Sequence, residues 1–435
     1  MMWYEECVFY QIYPLGLCGA PAYNDGQTKN RIDALSHWVN HIKQLGCGAV
    51  YFGPVFQSDA HGYDTRDFLS IDCRLGTNQN FSDIVRVFHE NGIRVILDGV
   101  FHHVGRGFFA FLDVQKRGKQ SCYRDWFYLD FNGDSPYHDG FWYEGWEGHF
   151  ELVKLNLQHT KVQEYLLDCV KQWIDWWEID GLRLDVAYLL EENFMRRLRQ
   201  ACCLQKPEFF LVGEMIHGDY NRLLGPELLH SVTNYECYKG LYSAFNSKNM
   251  FEIGHSLQRQ FGEEPWCLYR GKHLFSFADN HDVTRIASIL HLKEHLPLVF
   301  GFLLAMPGIP CVYYGSEWGI EGDKSCGDQA LRPAIDDPKW NELTEKISVW
   351  AKIRTNSEAL CYGNFKILAM TNEQIVFERQ TAAERVLVAC NSGNQFYLAT
   401  GEFGAKKGKD LQVNQEQDFC DGIPMPPYSI HYWKV

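Results

Sequence analysis

Eight short, nearly continuous apolar runs recur along the chain: VFYQIYP, AVYFGPVF, RVILDGVF, GLRLDVA, FFLVGE, LLHSVTNYE, HLFSFADN and GIPCVYYG. Most are followed by a stretch with helical spacing. Residues 162–177 place apolar side chains three and four apart, and residues 81–90 do the same after Ser82, which the pattern marks as an N-cap. Strands that are apolar on both faces and alternate with amphipathic helices predict a parallel sheet covered by helices. Eight repeats predict its closure into a (β/α)8 TIM barrel, an α/β fold.

The alternation breaks twice. After the third run the chain passes through about fifty residues rich in Gly, Asp and aromatics (RGFFAFLDVQKRGKQSCYRDWFYLDFNGDSPYHDGFWYEGWEGHF) before helical spacing resumes near Thr160. This predicts an inserted subdomain over 104–157, placed where barrel loops build an active-site face. From about Tyr362 the pattern becomes alternating strands without long helices (FKILAM, IVFERQ, RVLVACN, PPYSIHYWKV), predicting a C-terminal all-β domain, a β-sandwich over 358–435. The barrel then comprises 1–103 and 158–357.

Residues 296–315 carry no charge, but Pro297, Pro307 and Pro310 interrupt them. A buried helix followed by a parallel strand fits better than a membrane span. The net charge of −14 lacks the basic stripe that phosphate contacts need and argues against nucleic-acid binding, while 15% aromatic residues suit a sugar ligand. The 15 cysteines show neither the spacing of a disulfide framework nor that of a zinc module. With acidic residues in MMWYEECVFY, where a secretion signal would carry basic ones, this predicts a cytoplasmic, reduced protein.

Ionisable residues gather where four of the apolar runs end: Asp98 with His102 and His103, Arg183 with Asp185, Glu214, and Asp279 with His281 and Asp282. In a barrel these ends converge on one pocket. Burying that many charges without a functional reason is costly. Glycoside cleavage with retention requires two close carboxylates, one as nucleophile and one as proton donor, and an arginine can keep the nucleophile ionised. Asp98, His102, His103 and His281 are also ligand types that suit zinc, but adjacent histidines rarely ligate one ion together.

DGVFHH (98–103), GLRLDVA (181–187), VGE (212–214) and FADNHD (277–282) stand in the order of the signatures of the alpha-amylase family of glycoside hydrolases, which the chain resembles over nearly its whole length. The resemblance implies Asp185 as nucleophile, Glu214 as general acid and then base, and Asp282 as a third acid that holds sugar hydroxyls. It implies a substrate-binding set of Asp98, His103, Arg183 and His281, with Tyr63 of HGYDT as an aromatic platform and Asp328 and Arg332 of GDQALRP beside the same sugar. It implies no cofactor, and an α-glucan oligosaccharide as ligand.

Two departures matter. The family's first signature usually ends in Asn-His, its Asn often a calcium ligand; here the position is His102, and imidazole is a poor ligand for a hard cation, so no calcium is expected there. LVKLNLQ resembles the segment of neopullulanases, maltogenic amylases and cyclomaltodextrinases that carries Lys-Leu-Asn, with Val153 in place of proline. Those enzymes typically dimerise through an extra N-terminal domain, whereas here the first strand begins near Val8, so oligomeric state does not follow from the resemblance. The expectation is a hydrolase of maltooligosaccharides or cyclodextrins that cuts α-1,4 bonds, with α-1,6 bonds as the alternative linkage. The alternatives are a transglycosylase using the same intermediate and a non-catalytic sugar-binding relative.

Overall fold

A computed structural model describes residues 2–435. Each of the eight apolar runs supplies one barrel strand: β1 Phe9–Ile12, β2 Ala49–Phe52, β3 Arg94–Gly99, β4 Gly181–Leu184, β5 Phe210–Gly213, β6 Ser231–Val232, β7 Phe275–Phe277 and β8 Ile309–Tyr313. Neighbours pair in parallel from β6 through β5, β4, β3, β2, β1 and β8 to β7. A parallel bridge between Thr233 and Phe275 closes the ring.

Because side chains alternate along a strand, each strand carries two rows. The outward row, including Tyr10, Val50, Phe52, Val95, Leu97, Leu182 and Leu211, joins the helices in one large core. The inward row is apolar at the bottom, where Phe9, Ala49, Ile96, Phe210, Phe275 and Ile309 fill the barrel beneath Tyr51, Val212, Phe277 and Cys311. Tyr4, on the short helix Trp3–Glu6, stacks on Phe210 and plugs the base. Two residues further up, the same row turns polar: Ile96 gives way to Asp98, Gly181 to Arg183, and Val212 to Glu214. Period-two alternation therefore delivers the chemistry to the top of a filled barrel.

The helix over 162–177 begins at Thr160, with His159 as its cap. The helix carrying Phe81, Ile84, Val85 and Phe88 starts at Asn78, so Ser82 lies inside it and does not cap it. Thr77 does: its hydroxyl accepts from the Asn80 N–H while the Asn80 side chain accepts from the Thr77 N–H.

After β3 the chain forms the short strand His103–Gly105, leaves the barrel, and returns as the antiparallel strand His149–Lys154. Between them Phe111 packs edge-on against Phe127, Phe141 and Tyr143, giving the excursion an aromatic core of its own. The charge-free stretch becomes the buried helix His295–Ala305 followed by β8, and no helix among the described residues is long and apolar enough to cross a membrane. Its outer face meets the C-terminal region, a six-stranded antiparallel sheet with a smaller two-stranded one. Gly301 is a point of close approach: a Cβ there would lie 2.7 Å from Ile430. Arg354 and Arg379, both fully buried, donate to the Leu304, Met306 and Ala305 carbonyls and so finish the helix's C-terminus.

Candidate active site

The top of the barrel converges on Arg183. Nη1 lies 3.1 Å from Asp98 Oδ1 and 2.8 Å from Asp185 Oδ1, and Nη2 lies 2.7 Å from Glu214 Oε1. The Tyr51 and Tyr63 hydroxyls donate to Asp98 Oδ2 at 2.8 and 3.2 Å, which satisfies the carboxylate deepest in the barrel. Asp185 and Glu214 each stand one residue above their strand, tied by N–H bonds to the Gly99 carbonyl at 3.1 Å and the Leu184 carbonyl at 2.9 Å.

The other oxygen of Glu214 accepts from the Val186 N–H at 2.9 Å. Val186 takes the left-handed conformation, φ 39 and ψ 46, to present that N–H. A β-branched residue rarely adopts it, and such strain costs about 1–3 kcal/mol. The rest of the site over-determines this turn.

Burial lifts both the Asp185 and Glu214 carboxyls above the ordinary range, while Arg183 pulls each back down. Sharing one guanidinium, they titrate as a pair. Burial also works against an ionised Asp282, but His281 and Arg332 overcome it and hold that carboxyl below the ordinary range. Among these acids the environment thus separates one that stays charged from two that resist charge.

The opposite wall is built on His281. Its Nδ1 meets Gln11 Nε2 at 2.7 Å, its Nε2 reaches both the Tyr63 hydroxyl and Asp282 Oδ2, and its ring lies nearly parallel to that of Tyr63. Arg332 Nη2 contacts Asp282 Oδ1 at 2.9 Å and Asp328 Oδ2 at 3.3 Å, and its guanidinium lies over the Tyr13 ring. Lys324 pairs with Asp328 at 2.6 Å on the rim. The cleft between these walls has a volume of about 590 Å³. The excursion after β3 contributes Trp146, His149, Glu151 and Leu152 to its lining, and Ile216 lies beside Glu214.

Of the residues singled out from sequence, Tyr63, His103, Asp185, Glu214, Asp282, Asp328 and Arg332 line this cleft. Asp98, Arg183 and His281 lie beneath it as the buried frame that aligns them. Asp279 points away: both oxygens accept from the Ser316 hydroxyl and one from the Ile286 N–H, which ties the loop after β7 to the loop after β8. The His102 ring faces His103 and its carbonyl accepts from the Leu155 N–H. Among the described residues no group of three or more His, Cys, Asp or Glu side chains is arranged to hold a metal ion.

Sequence reasoning passed over Gln11, Tyr51 and the Val186 N–H. Gln11 did carry a signal, as the lone polar residue in the first strand.

The family model described as the alpha amylase catalytic domain matches residues 11–359. The chain is 30% identical to a cyclomaltodextrinase of Thermoanaerobacter pseudethanolicus, over 90% of this chain and 71% of that protein. It is 30% identical to an intracellular maltogenic amylase of Bacillus subtilis, over 100% of this chain and 75% of that protein. Among solved structures, the ligand-free cyclic alpha-maltosyl-(1→6)-maltose hydrolase from Arthrobacter globiformis superposes with a TM-score of 0.86 at 25% identity, covering 100% of both chains.

Proposed function

Because the chain belongs to the alpha-amylase family of glycoside hydrolases, we propose that it hydrolyses maltooligosaccharides or cyclodextrins with retention, through a covalent glycosyl intermediate on Asp185. The observation that carries this reading is the grip of one guanidinium on two carboxylates. Asp185 and Glu214 contact Nη1 and Nη2 of the same guanidinium at 2.8 and 2.7 Å, which draws the two carboxylates to one side of the cleft. That favours the separation of about 5–5.5 Å used for retention over the wider spacing that leaves room for water between the acids.

In this mechanism Asp185 attacks the anomeric carbon while Glu214, protonated, gives its proton to the departing glycosidic oxygen. Glu214 then deprotonates the water that releases the sugar from Asp185. Burial raises both carboxyls, so the proton is assigned by the contacts: release from Arg183 and the Val186 N–H as substrate enters favours the acid form of Glu214, while Asp185 keeps Arg183 Nη1 and stays the charged partner. Asp282, kept ionised by His281 and Arg332, holds hydroxyls of the distorted sugar and gains strength as positive charge develops on the ring. Tyr63, on its His281 support, is the platform beneath that sugar.

A second reading, cleavage at α-1,6 bonds, is raised by the match over the full length of both chains to a hydrolase whose named substrate contains (1→6) as well as α-1,4 bonds. We place the enzyme in the cytoplasm. All fifteen cysteines are unpaired, which suits a reducing compartment, and a relative that matches 100% of this chain is named intracellular.

The test is a time course of products from maltotriose, β-cyclodextrin, pullulan, soluble starch and cyclic α-maltosyl-(1→6)-maltose, with Asp185→Asn as control. Fast cleavage of cyclodextrin and maltotriose with slow attack on starch supports the first reading, and release of maltotriose from pullulan, by cleavage of the (1→6) bonds that join its maltotriose units, supports the second. Longer products or new linkages would assign a transglycosylase, and an absence of products would refute catalysis.

A further inference from the structure

The two adjacent histidines that end the third apolar run face each other across a single hydrogen bond, Nδ1 to Nδ1, at 3.2 Å with the rings 77° apart. Both are buried, 4% and 2% exposed. Burial, reinforced by nearby Lys154, pushes His102 down to about 4, and burial with His102 beside it holds His103 well below the ordinary range. Two neutral imidazoles that share one bond must divide the roles, one Nδ1 carrying the proton and the other accepting it.

The far side of His103 decides which. Its Nε2 is buried without a hydrogen-bond partner and lies 3.9 Å from Asp185 Oδ2, at the lining of the cleft. The Tyr63 backbone offers an acceptor to a proton on Nδ1, but that tautomer leaves a bare Nε2 lone pair facing the Asp185 carboxylate across the gap. With the proton on Nε2, the ring presents a donor toward the carboxylate and toward any sugar hydroxyl seated between them. His103 Nδ1 is then an acceptor, and the group that supplies its proton is His102.

We propose that His102 is a positioning residue: its Nδ1–H donates to His103 Nδ1 and fixes His103 as the Nε2–H tautomer, a donor aimed at the sugar beside Asp185. The inference rests on the proposed reading of Asp185 as the centre of the sugar site. His102 is itself held by the excursion after β3, through the Leu155 N–H on its carbonyl. The tautomer of one cleft histidine is therefore set by the packing of the inserted region. Partners that fix the ring tautomer of metal-bound histidines are worth about 10–100-fold in activity, and a loss of that order is expected here.

The experiment is long-range proton–nitrogen NMR of [15N]histidine-labelled protein without ligand, with His103 assigned by the signal missing from His103→Gln. The expected result is a bare Nδ1 and a protonated Nε2 on His103, both in the wild type and in His102→Asn, whose side-chain amide nitrogen can replace the lost Nδ1–H. In His102→Leu the preference is expected to disappear, with kcat lowered about 10–100-fold at an unchanged melting temperature. A protonated Nδ1 on His103 in the wild type overturns the proposal, even if His102→Leu does not fold. So does an activity loss in His102→Leu with the tautomer unchanged. Because the tautomer is read without substrate, a wild-type turnover in Asp185→Asn would sink the catalytic assignment while leaving this result intact.

Discussion

Replacing Arg183 with methionine removes the charge that three carboxylates share while roughly keeping the volume. The guanidinium is 4% exposed and contacts Asp98, Asp185 and Glu214 at 3.1, 2.8 and 2.7 Å. Breaking a buried ion pair costs about 3–5 kcal/mol because the remaining charge loses its partner. With three partners orphaned together, the upper end, about 5 kcal/mol, is expected near pH 7.5. The sign of the pH dependence follows from the pair that burial already raises. In the wild type Asp185 and Glu214 have folded pKa values above their unfolded ones, and without Arg183 they rise further. A carboxyl raised on folding binds a proton that the unfolded chain releases, so stability falls as pH rises from the unfolded value, about 4, towards the folded one. Below the wild-type folded values both proteins lose stability alike, so the deficit of Arg183→Met is expected to grow only above those values, where the wild type ionises the pair and the variant still holds its protons, by up to about 2.7 kcal/mol per pH unit for two carboxyls. Urea unfolding of both proteins at several pH values measures it. A deficit independent of pH, or one under about 1 kcal/mol near pH 7.5, would refute the claim that Arg183 neutralises a buried acidic cluster.

Asp185→Asn and Glu214→Gln are each expected to lower kcat by at least about 10³-fold while leaving stability near pH 7.5 unchanged or higher, since each removes a charge that burial penalises; paired kinetics and unfolding curves check this, and a loss of stability that matches the loss of activity would contradict it. Arg285→Met is expected to destabilise the fold by about 3 kcal/mol or more, because this buried guanidinium donates to the Tyr314 and Leu331 carbonyls at 2.7 and 2.8 Å and so ties the loop of Asp282 to the loop of Arg332. An unchanged melting temperature would rule that out. Gly16→Ala sets a Cβ 2.4 Å from the Arg332 carbonyl oxygen, so the loop that carries Arg332 must shift and its contact with Asp282 loosen. The expected outcome is a drop in kcat/KM of about tenfold or more, and full activity would show that the loop absorbs the methyl group elsewhere.

The barrel was legible because its strands are buried on both faces, which leaves them as unbroken apolar runs, and a charge inside such a run stands out. Asp98, Arg183 and Glu214 declare themselves in this way, and Gln11 does so more quietly. Tyr51 could not, since tyrosine fits an apolar strand whether or not its hydroxyl is used. Trp146, His149, Glu151 and Lys324 lie on loops and short strands where no periodicity fixes which side chains turn towards the cleft. The helix start moved from Ser82 to Thr77 because the buried face begins at Phe81, a full turn after the cap, and the reciprocal Thr77–Asn80 pair outweighs the serine nearer the apolar residues. Asp279, in the same motif as Asp282, shows the opposite limit: adjacency in sequence placed both in one charged cluster, yet the backbone turns one towards the cleft and the other towards Ser316.

The most direct test of the central claim is to trap the intermediate. A fluorinated α-glucosyl fluoride, whose glycosyl enzyme hydrolyses slowly, is incubated with the wild-type protein and the adduct is located by peptide mass spectrometry. The account predicts one fluoroglucosyl group, on Asp185, formed in wild type and absent from Asp185→Asn. An adduct on another carboxylate, or inactivation without any covalent adduct, would contradict it.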